Sequence, residues 1–331
     1  MTVSIEAPTR ASIAAAVARL RAGDLVAFPT ETVYGLGADA SNPDAVRKIF
    51  AAKGRPADHP VIVHLSAIDQ LEDWARSVPQ SARRLAAEFW PGPLTLVLPR
   101  AARVDDVVTG GQDSVGLRMP SHAVARDLLA AFGGGVAAPS ANRFGRISPT
   151  TSAHVADDLG DAVSLILDGG ACAIGIESTI VAFTTAEPML LRPGAIGVAE
   201  LSRVLGHGLR PADADAPRAS GTLAAHYAPR TRASLVDAAV LCAEIAQFDQ
   251  RDEAMAVLAR TVTPPADFSG VWVTAPMHAS AYAHDLYAAL RTLDAANADE
   301  ILIEKVPDED EWHAVRDRLL RATRGEDDDR D

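Results

Sequence analysis

Lysine is nearly missing from this chain. Of its 31 basic residues only Lys48, Lys53 and Lys305 are lysines, and every other one is arginine. Cysteine is as scarce: Cys172 and Cys242 lie far apart, with no second thiol or histidine at zinc-ligand spacing. That argues against a disulfide framework and a structural zinc centre. No apolar run reaches the ~18 to 20 residues of a membrane span. The first apolar stretch carries Arg10, Arg19 and Arg21 at helical spacing, unlike a signal peptide. A cytoplasmic protein without membrane contact is therefore expected. GxxxxGK[ST] does not occur, which excludes a P-loop, and neither HExxH nor a glycine-rich dinucleotide fingerprint is present. The lack of an evident Ser-His-Asp constellation argues against covalent serine catalysis.

What is present suits a folded chain of two domains. Its 331 residues are 48% hydrophobic and 23% charged, enough to bury substantial cores. The net charge of −13 is uneven: residues 1–205 carry 18 basic and 21 acidic side chains, whereas residues 206–331 carry 13 and 23. Bulk attraction to nucleic acid is not expected, although a local basic groove in the first part leaves room for a weak tRNA contact.

Periodicity predicts a helix over 9–22, with Ile13, Val17 and Leu20 on one face and Gly23 as its stop. LVAF then reads as a buried strand. Asn42-Pro43 starts a second helix, ending near KGRP, with Val46, Ile49 and Phe50 as its apolar face. Further strands are read at 61–65, 94–98, 114–119, 136–140, 164–170, 178–183 and 189–194. Continuous β-branched runs interrupted by helical patterns favour a mixed sheet covered by helices. Residues 206–233 are rich in Gly, Pro, Ala and Ser without sustained periodicity, and read as a linker or active-site lid. From Ala233 a second α/β pattern fits a small Rossmann-like domain: helix 236–248, strands AMAVLA and VWVTAP, helix 279–295, strand EILIEKV and a last helix ending near Arg324. The tail GEDDDRD is expected to be frayed and solvated.

The candidate chemistry lies where buried strands end, the usual ligand position in open α/β sheets. PTETVYGLG (29–37) offers hydroxyls, a carboxylate and an aromatic; a capped turn would use the same residues. KGRPADHPVIVH (53–64) places a compact ammonium beside a guanidinium, which suits phosphate oxygens. A solvated helix end explains the charge but not the lysine. VGLRMPSH puts Arg118 near the end of an apolar strand, where it needs a carboxylate from the protein or from a ligand. APSANRFGRISPT gathers Ser140, Asn142, Arg143, Arg146 and Ser148, donors suited to phosphate or ribose. GIESTIVAF adds Ser178 and Thr179, and LLRPGAI adds Arg192 before a Pro-Gly turn.

Taken in order, PTETVYGLGADA, KGRP, WPGPLTLVL, VGLRMPSH, APSAN, DGG, ESTIV and LRPGAI resemble the YrdC-like family of threonylcarbamoyl-AMP synthases over residues 10–205. SGTLAAHYAP (220–229), followed by a second α/β domain, is similar to the family's long form. The resemblance implies a YrdC-like twisted mixed sheet with covering helices in residues 1–205, a linker or lid at 206–233, and a smaller Rossmann-like C-terminal domain at 234–331. It implies that L-threonine, bicarbonate and ATP give threonylcarbamoyl-AMP and pyrophosphate, the product passing to a separate tRNA threonylcarbamoyl transferase. It assigns Thr32, His64, Arg118, Ala138 and Ser178 to threonine. Lys53, Arg55, His59, Ser114, Ser140, Asn142, Ser148, Arg192 and Tyr227 go to ATP, with Lys53 and Arg55 also catalytic. Mg2+ would arrive on the triphosphate, with no metal site of the protein's own. This chain departs from the family in two places, with His59 where Asn is frequent and SGTLAAHYAP where a more basic linker is common. Two other readings stand beside this one. They are an RNA-binding module, disfavoured by the net charge, and a carbamoyl-transfer domain like that of hydrogenase-maturation proteins, whose extra segments this chain lacks.

Overall fold

The computed structural model of the chain describes residues 3–248 and 254–324; the acidic tail from Gly325 lies outside the described residues. Two compact units are formed: Met1–Phe144 with Ser148–Thr222, and Gly145–Ile147 with Leu223–Asp331.

Local chemistry sets the first helices. Thr9 caps the helix Arg10–Arg21, its Oγ1 accepting from Ser12 N at 3.1 Å while Ser12 Oγ accepts from Thr9 N at 2.8 Å. Asn42 caps Pro43–Lys53 by accepting from the N–H groups of Asp44 and Ala45, and Gly54, at φ 64°, ends that helix.

Eleven strands of the first unit form one mixed sheet: β1 Ile5–Glu6, β2 Val26–Phe28, β3 Gly35–Asp39, β4 Ile62–His64, β5 Leu94–Pro99, β6 Ser114–Arg118, β7 Val136–Ala137, β8 Leu165–Leu167, β9 Thr179–Ala182, β10 Met189–Arg192 and β11 Arg210–Pro211. Their order is β1-β8-β2-β3-β7-β4-β6-β5-β9-β10-β11. Both faces of the sheet are covered. Val26 and Phe28 pack with Val17, Leu20, Leu128 and Leu129 from the helices Arg10–Arg21 and Ala123–Phe132. The alternate residue Ala27 joins the opposite cluster, with Val46, Ile49 and Phe50.

The strand β3 falls inside a motif that reads as a ligand loop. Its glycines conceal it: a Cβ on Gly37 would sit 2.8 Å from the Phe28 ring and 3.1 Å from the Val26 carbonyl oxygen. Glycine here permits close strand approach.

The second unit is a wholly parallel four-stranded sheet of β12 Arg232–Val236, β13 Met255–Ala259, β14 Val271–Thr274 and β15 Glu300–Glu304, in the order β12-β15-β13-β14. Helices Ala238–Phe248, Ala279–Asp294 and His313–Ala322 complete it. The strand β12 begins inside the segment read as a linker and ends where the sequence pattern starts a helix. Its five residues have little strand character of their own and are held by five paired positions on β15. After β13, where a doubly wound sheet often holds phosphate, the N–H groups of Arg260 and Thr261 donate to Glu304 at 2.6 and 2.7 Å. Among the described residues no helix is long and apolar enough to cross a membrane.

Candidate active site

Strand register assembles the centre of the first unit. His64 on β4 is the Cα partner of Arg118 on β6, Arg118 of Thr95 on β5, Thr95 of Ile180 on β9, and Ile180 of Arg192 on β10. Cross-strand partners share a face, so His64, Arg118 and Arg192 lie in one row. Ser178, just before β9, joins that row through Thr95, their hydroxyl oxygens 2.7 Å apart. Arg192 donates to the Ser178 carbonyl at 3.1 Å and to its Oγ at 3.2 Å.

Arg118 has a carboxylate of the protein beside it. Its Nη2 donates to Glu31 Oε1 at 2.6 Å, with both side chains buried, while its Nε has no hydrogen-bond partner among the described residues. The other Glu31 oxygen accepts from Ser121 N at 3.0 Å. Burial alone would raise the Glu31 carboxyl, but the charge and hydrogen bond of Arg118 and backbone N–H groups bring it below its ordinary value. Thr32 is wholly buried next to Glu31, its Oγ1 2.8 Å from that of Thr30. Ala138, 5% exposed, donates its N–H to Ile62 O at 2.9 Å.

His64 is held in its neutral form. Burial, and secondarily the Arg118 charge, press its pKa down to about 3, and its Nδ1 has no hydrogen-bond partner among the described residues. The unfolded chain therefore binds this proton more readily than the folded one. Its contribution to stability is complete above the ordinary value of about 6.5 and declines as pH falls from there towards 3. At pH 5 the loss amounts to about 2 kcal/mol. Urea unfolding at about pH 7 and pH 5 should show it in the parent protein, and His64→Gln should remove it. Equal pH sensitivity of the two proteins would refute the buried neutral imidazole.

The second group of candidates surrounds the loop after β7. Lys53, fully buried at its helix end, donates to Ser140 O at 2.7 Å, Asn142 O at 2.6 Å and Asn142 Oδ1 at 3.4 Å. Burial, then the neighbouring Arg55 charge, force its pKa well below the lysine range, against the pull of Asp158 and Glu177. Arg55 donates to Pro60 O at 2.7 Å and to Ser220 Oγ at 3.1 Å, and its guanidinium carbon lies 5.8 Å from the centre of the Phe144 ring. His59 packs its ring 5.4 Å from the same phenyl ring, and burial, then Arg55, lower its pKa. Ser148 donates to Glu177 at 2.6 Å. Ser114 opens β6 and lines a small cleft with Gly116, Ala219 and Ser220. Tyr227 belongs to the second unit, where it is buried at φ 64° with its ring centre 5.7 Å from that of Tyr287 and 5.3 Å from the Arg318 guanidinium carbon.

Sequence reasoning passed over several partners. Glu31 and Glu177 lie inside PTETV and GIESTIV, and Arg118's need for a carboxylate was the signal for the first. Ser220 carried no such signal. It accepts from Arg192 Nη1 through its carbonyl at 2.6 Å as well as from Arg55, while Gln112 holds the neighbouring Arg218 backbone by two hydrogen bonds of 2.7 and 3.1 Å. Ala219 is packed with Ile62, Val97 and Ile180. Residues 218–220 thus lie across the row of site side chains. Among the described residues the first unit buries three guanidinium groups, Arg55, Arg118 and Arg192, and the side chain of Lys53, against two carboxylates, Glu31 and Glu177. Such an excess of buried positive charge favours bound anions.

A family model covering Sua5, YciO and YrdC proteins, described as "Telomere recombination", matches residues 18–194, and one described as "Threonylcarbamoyl-AMP synthase, C-terminal domain" matches residues 196–323. The chain is 41% identical over 315 residues to threonylcarbamoyl-AMP synthase of Pyrococcus abyssi, covering 92% of each. It is 40% identical over 324 residues to that of Bacillus subtilis, covering 95% of this chain and 93% of the relative. The crystal structure of P. abyssi Sua5 complexed with L-threonine superposes with a TM-score of 0.89 at 39% identity, over 97% of this chain and 96% of that one.

Proposed function

The chain belongs to the Sua5/YrdC family of threonylcarbamoyl-AMP synthases, and on that premise we infer that it joins L-threonine, bicarbonate and ATP into threonylcarbamoyl-AMP and pyrophosphate. This is the first step in forming threonylcarbamoyladenosine at position 37 of tRNAs. The observation that carries the reading to residues is the excess of buried cations over buried carboxylates in the first unit. Threonine, carbamate and triphosphate are all anionic.

In this proposal Arg118 takes the threonine carboxylate through the Nε that Glu31 leaves without a partner. His64, held neutral, and the hydroxyls of Thr32 and Ser178 orient the amine and the side-chain hydroxyl, and Ala138 lines the pocket. The amine adds to bicarbonate with loss of water. A carbamate oxygen then attacks the α-phosphorus, and the bond to the bridging oxygen of pyrophosphate breaks. No covalent enzyme intermediate is needed; the protein supplies orientation and positive charge where charge moves. Lys53, Arg55 and Arg192 neutralise the triphosphate, and Ser114, Ser140, Asn142, Ser148 and His59 complete the nucleotide site. Magnesium comes as part of the nucleotide substrate. Among the described residues no group of three or more His, Cys, Asp or Glu is placed to hold a metal.

Residues 218–220 fit a lid. Admitting a triphosphate requires Ser220 to release Arg55 and Arg192, and reclosure would keep water from the labile mixed anhydride. A cytoplasmic setting, transfer of the product to a separate tRNA threonylcarbamoyl transferase and a weak tRNA contact belong to the same proposal. The test is pyrophosphate release from ATP and magnesium with threonine and bicarbonate each supplied or omitted, the nucleotide product being identified by mass. Release that requires both and yields threonylcarbamoyl-AMP is expected. Release without threonine, or AMP as the sole nucleotide product, would overturn the assignment.

A further inference from the structure

Each hydroxyl of the candidate threonine site touches a second buried hydroxyl, Thr32 that of Thr30 and Ser178 that of Thr95. These contacts fix which way the hydrogen bonds run, because a hydroxyl has one proton to give. Thr30 Oγ1 donates to Val33 O at 2.6 Å, so across its 2.8 Å contact with Thr32 the shared proton belongs to Thr32. Thr32 therefore meets a ligand as an acceptor.

Ser178 is fixed the other way. Its Oγ accepts from Arg192 Nη2 at 3.2 Å, and a guanidinium can only donate. Thr95 is the one polar residue in the apolar run LTLVL, wholly buried inside β5 between β6 and β9. Its hydroxyl lies 2.7 Å from Ser178 Oγ and has no other hydrogen-bond partner among the described residues. The two hydroxyls hold two protons and share one hydrogen bond, which leaves one O–H to donate elsewhere. A proton without an acceptor inside β5 would be costly, whereas Ser178 stands off the strand, before β9, where ligands of such sheets bind. Thr95 therefore donates to Ser178. With both its lone pairs occupied, Ser178 Oγ keeps its own proton for a ligand.

Threonine has a carboxylate that only accepts, an ammonium that only donates and a hydroxyl that does either. Arg118 can only donate and suits the carboxylate; Thr32 accepts and suits the amine. The side-chain hydroxyl is left for Ser178. We propose that Thr95 is a positioning residue for substrate selection, directing the Ser178 proton onto the hydroxyl of the bound amino acid. This rests on threonine being the substrate of the site.

Calorimetric titration of the full chain with L-threonine and with L-2-aminobutyrate, the same amino acid without its hydroxyl, tests it. The parent should prefer threonine by at least ~100-fold, since a site built to bond a hydroxyl rejects the analogue lacking it. Thr95→Val keeps the side-chain shape and should shrink that preference by about 10-fold, mainly through weaker threonine binding. Thr95→Ser, which restores the hydroxyl, should recover the preference. In a Ser178→Ala background Thr95→Val should change it no further, because Thr95 acts only through Ser178. Disturbed packing alone would weaken both ligands alike and leave their ratio unmoved. The proposal is overturned if Thr95→Val keeps the parent's preference, if Thr95→Ser falls as far as Thr95→Val, or if Thr95→Val costs as much without Ser178 as with it. A parent that binds threonine and 2-aminobutyrate equally also overturns it, while leaving the substrate reading in place. A parent that binds no threonine overturns the substrate reading itself, and this inference with it.

Discussion

Replacing Lys53 with methionine is expected to lower kcat/KM for ATP by about 30- to 1,000-fold, equivalent to about 2 to 4 kcal/mol of transition-state stabilisation. Methionine keeps most of the stem volume, so the loss reports the ammonium and not a cavity. That ammonium has three protons to donate, and its acceptors are Ser140 O, Asn142 O and Asn142 Oδ1. Its removal therefore loosens the loop after β7 as well as withdrawing a charge from the triphosphate. Proton linkage separates the two effects. Burial and Arg55 hold the lysine well below its ordinary pKa, whereas an adjacent triphosphate favours the charged form. Above the pKa of the free protein, ATP binding must take up a proton, and ATP affinity must fall as pH rises. Calorimetry in two buffers of different ionisation enthalpy, repeated across a series of rising pH values, should detect that proton in the parent protein and lose it in Lys53→Met. If the variant keeps both its kcat/KM and the proton uptake, Lys53 has no place in the reaction.

The sheet was readable where its strands are unbroken apolar runs. Residues 94–98, for example, match β5 closely because Leu and Val dominate both faces of a doubly covered strand. Small residues hid β3, whose glycines serve strand approach and resemble turn chemistry. The strand β12 was hidden for another reason: it owes its form to β15, which follows it by more than sixty residues in the chain. The site shows the same division. Polar residues at strand ends were legible one motif at a time, but the row from His64 to Arg192 exists only because β4, β6, β5, β9 and β10 are neighbours in that order. Chain order does not contain it. Arg118 and Glu31 are 87 positions apart, and Arg55 and Ser220 are 165 apart. Periodicity reports which face a side chain takes and nothing about such distant partners.

Glu31→Gln is expected to destabilise the first unit by about 3 to 5 kcal/mol, because it leaves Arg118 buried without its compensating charge. For a domain of this size that lowers the melting temperature by roughly 10 °C. Arg118→Met placed on top of Glu31→Gln should restore part of the loss, since replacing both charges by groups of similar volume removes the uncompensated ion. The acid limb of stability supplies a second reading. With its folded pKa depressed, Glu31 contributes stability that is full above its unfolded value of about 4.5 and is lost as pH falls through the folded value. Glu31→Gln should flatten that part of the profile, at lower pH than most of the His64 contribution. The pair also divides structure from binding. Arg118→Met should raise KM for threonine by about 10- to 100-fold, the range for losing a charged hydrogen bond, and should leave KM for ATP nearly unchanged. Glu31→Gln retains the guanidinium and should raise KM for threonine less. A threonine dependence unaltered in Arg118→Met would make Glu31 the only partner of that arginine and would remove it from substrate binding. The Nε, without a partner among the described residues, argues for the opposite outcome, because a substrate carboxylate would satisfy it.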